Sequence, residues 1–219
     1  MHLIHLTRES DLPDAIKKIQ GIITPKKPVE TTRRGLILAA CGSVLGIKAD
    51  ETAAAPSKFS LSGTIYESVG RERRVDPMLI YAITCVESAV EDDRRRGRIR
   101  PYPWTLRSDK GPFYGKDKED AVRELQRLLA AHRRQSSVYP SIDVGLAQVN
   151  LRWHGHRVRS VFDLLDPKTN LGVAADILNE CFARHPRDAF RAIGSYHSAD
   201  ESRALRYAAR VVRVYSALR

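Results

Sequence analysis

Cysteine is scarce in this chain: 219 residues hold three, Cys41, Cys85 and Cys181. No two sit at metal-ligand spacing, so a zinc site has no support and a disulfide-dense scaffold is excluded. Aromatic residues are few, at 7%, while Ala, Leu, Arg and Val recur at helical spacing, which points to a mostly α domain. No stretch reads as a membrane span. The apolar segment GLILAACGSVLGI covers 13 residues, 35–47, where a spanning helix needs about 20. There is no internal repeat and no low-complexity tract, so a repeat array is excluded. The length suits one domain of about 150 residues plus something extra.

Positive charge is in excess. The formal net charge is +11, and residues 1–49, with eight Lys/Arg and four Asp/Glu, contribute +4 of it. Such a surplus attracts polyanions. Nucleic acid is one candidate and an anionic cell envelope another, and charge alone does not choose.

Residues 33–55 run from Arg33-Arg34 through the apolar stretch into KADETAAA. A basic start, an apolar middle and a small-residue exit form the layout of a secretory signal, and TTRRGLIL resembles a twin-arginine signal. Two exits compete: cleavage after Ala49 or Ala54, and a lipobox-like LAAC at 38–41 with lipidation of Cys41. The alternative is a buried N-terminal helix. On the export reading, residues 1–55 are leader and signal, residues 56–219 are the folded domain, and the mature protein has no membrane span and works at the cell envelope or in the periplasm. Export would permit a Cys85–Cys181 disulfide; two buried thiols are the other reading.

Within the domain, the spacing of Phe59, Leu61, Ile65 and Val69 predicts a helix over 59–73. Asp76-Pro77 pairs a favoured N-cap with a favoured first helical residue, so a helix should begin at 77. Its sequence, PMLIYAITCVESAV, is apolar nearly all round, as in a buried helix. Residues 91–100 form a charged loop with five arginines in RRRGRIR. The segment PYPWTLRSDKGPFYG suggests a hairpin around SDKG. Helices are expected at 117–134, after Asp166-Pro167, and at 187–198 and 201–218.

Glu87 stands almost alone among apolar neighbours on the helix from 77. Burial raises a carboxyl pKa, which suits a general acid at neutral pH. An exposed helix end paired with an arginine is the competing reading. Asp92 and Asp93 could supply a second carboxylate but fit solvated loop charges better, and Asp143 fits an ordering role in its loop. His154 and His156 fit packing better than a metal pair. Tyr102, Trp104 and Trp153 are flat apolar rings that suit either sugar faces or core packing.

Five segments then occur in order: VESAV (86–90), DVGLAQVN (143–150), LLDPKTNLGVAADIL (164–178), AIGSYHSA (192–199) and RYAARVVRVYSAL (206–218). Together they resemble the soluble lytic transglycosylase (SLT) family of the lysozyme superfamily, over about residues 62–218. PYPWTL resembles a variant associated with conjugative or secretion-system genes. The resemblance implies a lysozyme-like helical domain with a small β-hairpin or loop insertion. It implies Glu87 as the single catalytic acid/base, and Ser88, Gln148 and Tyr196 as residues of the substrate cleft. Asn150, in the same segment as Gln148, and Trp104, as a flat ring, are further candidate substrate contacts. The implied substrate is peptidoglycan glycan, cut without metal or cofactor to give 1,6-anhydro ends. Ala147 replaces the family's usual methionine, and residues 196–199 read YHSA where the family has YNAG, which puts His197 in an unfamiliar place. Secretion machinery is the implied partner, and nucleic acid is not expected. A binding scaffold that docks such machinery without cutting, and a hydrolytic muramidase with a second carboxylate, are the alternatives.

Overall fold

The computed structural model describes residues 12–23, 59–90, 99–133 and 139–218. The charged run at 91–98, with Asp92, Asp93 and four of the arginines, lies outside them, as does the export-type segment with Cys41.

The helices start where capping residues put them. Helix α1 spans Leu12–Ile23, α2 Ile65–Arg73 and α3 Pro77–Ser88. Thr64 caps α2. Asp76 caps α3 by accepting the Met78 N–H at 2.8 Å, and its other oxygen accepts the Tyr215 hydroxyl at 2.6 Å. The start of α3 is thereby tied to the end of the chain. The predicted helix at 59–73 is shorter than its apolar spacing suggests, because residues 62–64 form a turn that ends in the Thr64 cap.

Helix α4 spans Lys118–Arg133, and the one-turn α5 covers Leu151–His154. Helices α6 (Pro167–Arg184), α7 (Ala189–His197) and α8 (Glu201–Ala217) each begin on an aspartate, Asp166, Asp188 and Asp200. A carboxylate there satisfies an otherwise unpaired N–H and suits the positive helix end.

Strands β1 (Thr105–Ser108) and β2 (Gly111–Tyr114) form the expected hairpin around SDKG. Two further strands, β3 (Asp143–Val144) and β4 (Val149–Asn150), extend it to an antiparallel sheet in the order β2-β1-β3-β4. The chain is thus mostly helical with a small sheet, as expected.

Two apolar clusters fill the interior. One holds Val69, Ile80, Ile83, Ile193, Tyr207 and Val211, contributed by α2, α3, α7 and α8. The other lies under the sheet and holds Leu106, Leu125, Val144, Val149 and Leu164. Helix α6 serves both: Leu171, Ala175 and Leu178 face the first, Val173, Ala174 and Ile177 the second. Gly194 allows α7 and α8 to touch, since a Cβ there would lie 2.7 Å from the Ala204 carbonyl oxygen. Cys85 sits in the first cluster and Cys181 in the second, both as buried thiols, so no disulfide joins them.

Helix α1 comes from the segment expected to be leader, yet it packs on the domain. Ile19 is 1% exposed within the first cluster. Gln20 accepts the Ala189 N–H at 2.6 Å and donates to the Pro186 carbonyl at 3.4 Å, serving the start of α7. Ile19→Ala in the full chain should therefore cost about 2–4 kcal/mol of unfolding free energy in a denaturant titration. An unchanged midpoint would mean that α1 is not seated on the core.

Candidate active site

A cavity of about 340 Å³ opens at the seam between the two clusters. Helices and strands from both sides of the seam line it. Val86 and Glu87 come from the last turn of α3, Arg107 from β1, and Asp143, Gln148 and Asn150 from β3, β4 and their connection. Trp153 and His154 come from α5, Tyr196 and His197 from α7, and Arg210 from α8.

Glu87 is the buried acid of this space. Its side chain is only 14% exposed. Burial raises its pKa from 4.5 to about 7; the Tyr207 hydroxyl, Arg107 and Arg210 favour the ionised form, while Asp143 opposes it. No group completes a regular hydrogen bond to the buried Tyr207 hydroxyl among the described residues, so its influence on Glu87 is one of proximity. His197 Nδ1 lies 3.9 Å from a Glu87 oxygen. Burial, then Arg210, Arg203 and Arg107, lower the His197 pKa, so the imidazole is neutral at pH 7 and forms no ion pair with Glu87. It stacks on the Tyr207 ring, with centroids 4.6 Å apart and planes 4° from parallel.

The wall opposite α3 is built by one turn. Gly145 has φ +80°, and a Cβ there would lie 2.4 Å from the Asn170 amide nitrogen, so only glycine fits. The Asn170 side chain, fully buried, donates to the Val144 and Leu164 carbonyls at 2.8 and 2.9 Å and accepts the Ala147 N–H at 2.9 Å. Three buried backbone groups thus depend on one amide, and orphaning such a group costs about 1–3 kcal/mol. The turn holds Gln148 at φ 47°, outside the usual region for a non-glycine residue. The Gln148 amide nitrogen donates to the Thr105 and Gly145 carbonyls, and its oxygen is buried without a partner among the described residues. Strain and unmet polar groups of this kind gather at functional sites.

The expected site residues divide. Glu87, Gln148, Asn150 and Tyr196 meet in the cavity. The Tyr196 hydroxyl donates to the Ala147 carbonyl at 2.9 Å, so it braces the turn, and Tyr207 is the tyrosine beside the carboxyl. Asn150 donates to the Asp143 carboxylate at 2.7 Å and orients it. Ser88 and Trp104 do not line the cavity. Ser88 is buried, donates to the Thr84 carbonyl at 3.0 Å and accepts the Tyr102 N–H at 3.1 Å, so it fastens α3 to the hairpin. Trp104 packs edge-on against Tyr102 and against the second cluster. Both residues serve as structural joints between α3, the hairpin and the second cluster. Residue 147 is fully buried in the second cluster rather than facing the cavity.

Asp143, taken from sequence as a loop-ordering residue, does accept from Asn150 but also enters the cavity, where burial raises its pKa. Arg107, Tyr207 and Arg210 were not singled out. Tyr207 and Arg210 stand in RYAARV, one of the quoted segments, so the signal was present. Trp153, 68% exposed, stands at the cavity as a bare ring. His154 is held neutral, its pKa lowered to about 4 chiefly by burial, and its Nδ1 accepts from Arg157 at 3.2 Å. No group of three or more His, Cys, Asp or Glu is placed to hold a metal, and no helix is long and apolar enough to cross a membrane, among the described residues.

A cleft with one proton-bearing carboxyl, walled by helices on one side and a short sheet on the other, is the arrangement of a lysozyme-like, glycoside-cleaving domain. The family model of the transglycosylase SLT domain matches residues 65–210, about two thirds of the chain. This chain therefore belongs to the SLT family, whose members are lytic transglycosylases acting on peptidoglycan. Neither the curated proteins nor the solved structures give a match.

The raised Glu87 pKa has a consequence for stability. The folded state holds this proton more tightly than the unfolded chain, so Glu87 favours the fold while protonated. That contribution is present below about 4.5 and is lost as pH rises through about 7. Glu87→Gln cannot ionise. It should match the parent in thermal unfolding near pH 4 and exceed it near pH 9 by on the order of 3 kcal/mol. A difference that does not change with pH would contradict the burial of the charge.

Proposed function

We propose that the chain is an active lytic transglycosylase that cuts the β-1,4 bond between N-acetylmuramic acid and N-acetylglucosamine, with Glu87 as both acid and base. The observation that carries this reading is a carboxyl that keeps its proton near neutral pH while opening onto a sugar-sized cavity. Glu87 donates its proton to the bridging oxygen as the C1–O bond breaks. The substrate's own N-acetyl group stabilises the cation that develops at C1, a substrate-assisted route that needs no second carboxylate. Glu87, now ionised and favoured by Tyr207, Arg107 and Arg210, takes the proton of the C6 hydroxyl. That oxygen attacks C1 and closes a 1,6-anhydro ring. The carboxyl ends protonated, as it began, and no water is consumed.

One observation favours a second reading. Asp143 shares the cavity, and a second carboxylate is what a hydrolytic muramidase needs to activate water or to shield the cation. The export-type layout of residues 33–55 supports action at the cell envelope. The PYPWTL resemblance supports service to a secretion or conjugation apparatus.

Digestion of purified peptidoglycan by the full chain, followed by mass analysis of the fragments, separates these readings. Anhydro ends, lighter by one water than reducing ends, are expected. Glu87→Gln should lower the rate by about 10²–10⁴-fold, and the parent's rate should fall as pH rises through about 7. Reducing ends, lost with Asp143→Asn, would establish hydrolysis. Binding of glycan with no fragment released by the parent would leave a scaffold.

A further inference from the structure

Two arginines face the cavity from opposite walls, Arg107 on β1 and Arg210 on α8. Both are exposed. Several other exposed guanidiniums are engaged: Arg73 with Asp176, Arg127 with Glu124 and Arg191 with Glu201. Arg107 and Arg210 make no ion pair among the described residues. Arg107 stands opposite Asp143 in the strand register and favours its ionised form, but no ion pair joins them, and the Asp143 carboxylate accepts from Asn150. Arg210 is steadied over the Tyr207 ring, 5.8 Å from its centroid. With Glu87 protonated, the cavity carries a surplus of positive charge within low-dielectric walls, which concentrates anions.

We propose that Arg107 and Arg210 form an anion subsite that selects glycan bearing a carboxylate on its muramyl residues. This inference rests on the function proposed above, and it names what that reading leaves open, the feature of the strand that the cleft recognises. Every N-acetylmuramic acid carries a 3-O-lactyl group. Its carboxyl is free in a denuded strand, and in a peptide-bearing strand it is extended into a stem that has carboxylates of its own. A planar guanidinium pairs with a carboxylate through two parallel N–H donors. The same two charges favour ionised Glu87, so their loss must be read in binding as well as in rate.

Binding is measured on the full-length Glu87→Gln chain, which mimics the protonated acid and turns over too slowly to consume the probe during the measurement. Three probes are compared: a neutral chitooligosaccharide, a denuded glycan strand with free lactyl groups, and a peptide-bearing strand. One or both carboxylate strands should bind about tenfold or more tighter than the neutral chain, with the preference shrinking as salt rises. Adding Arg107→Gln and Arg210→Gln should erase that preference, so that charged and neutral chains bind alike. Tight binding of the denuded strand identifies the lactyl carboxylate as the ligand. Tight binding of the peptide-bearing strand alone identifies the stem. Equal binding of charged and neutral chains, or a preference that survives loss of both arginines, overturns the subsite. Failure to bind any of the three chains overturns the function beneath it as well.

Discussion

A carboxyl group sits at the seam between two apolar clusters, and the rest of the architecture serves that placement. Removing an ionised carboxylate from water is costly, and here the cost is met by keeping the proton. Helix α3 brings Glu87 to the seam because the Asp76 cap fixes where the helix begins and Tyr215 anchors that cap. Helix α6 holds the two clusters together with apolar residues on both sides. The helical side of the cavity is thus the outer surface of a packed core.

The sheet side depends on a smaller constraint. Asn170 satisfies two backbone groups of the turn from Val144 to Ala147 and ties them to the Leu164 carbonyl, and it reaches them only because Gly145 has no side chain. Tyr196 braces the same turn from α7 through the Ala147 carbonyl. Asparagine in the LLDPKTN segment, glycine in DVGLAQVN and tyrosine in AIGSYHSA are therefore one device drawn from three stretches of sequence. They hold Gln148 in a strained conformation at the cavity edge.

Local signals were legible where they are governed by local chemistry. Asp76-Pro77 and Asp166-Pro167 mark helix starts because capping acts within one turn. SDKG marks a hairpin because its glycine sits at φ +100°. Glu87 stood out because nothing else on its helix is acidic. Strands β3 and β4 were invisible, since two residues each carry no alternation to read. Asp143 was half legible: its ordering bond to Asn150 is there, but only the tertiary fold carries it into the cavity. Tyr207 and Arg210 looked like positions on an amphipathic helix, and only the crossing of α8 behind α3 turns them toward the carboxyl. Ser88 and Trp104 sit beside functional residues in sequence, yet the end of α3 and the hairpin use them as joints. Helix α1 was hidden by the export-type segment that follows it.

The central claim is that the carboxyl at position 87 keeps its proton at neutral pH while facing the cleft. Carbon-detected NMR titration of a chain labelled at glutamate carboxyls, with Glu87→Gln identifying the resonance, measures this directly. A midpoint near 7 is the expected result. A midpoint at the ordinary value of 4.5 would place the carboxylate in water and remove the proton on which the chemistry depends.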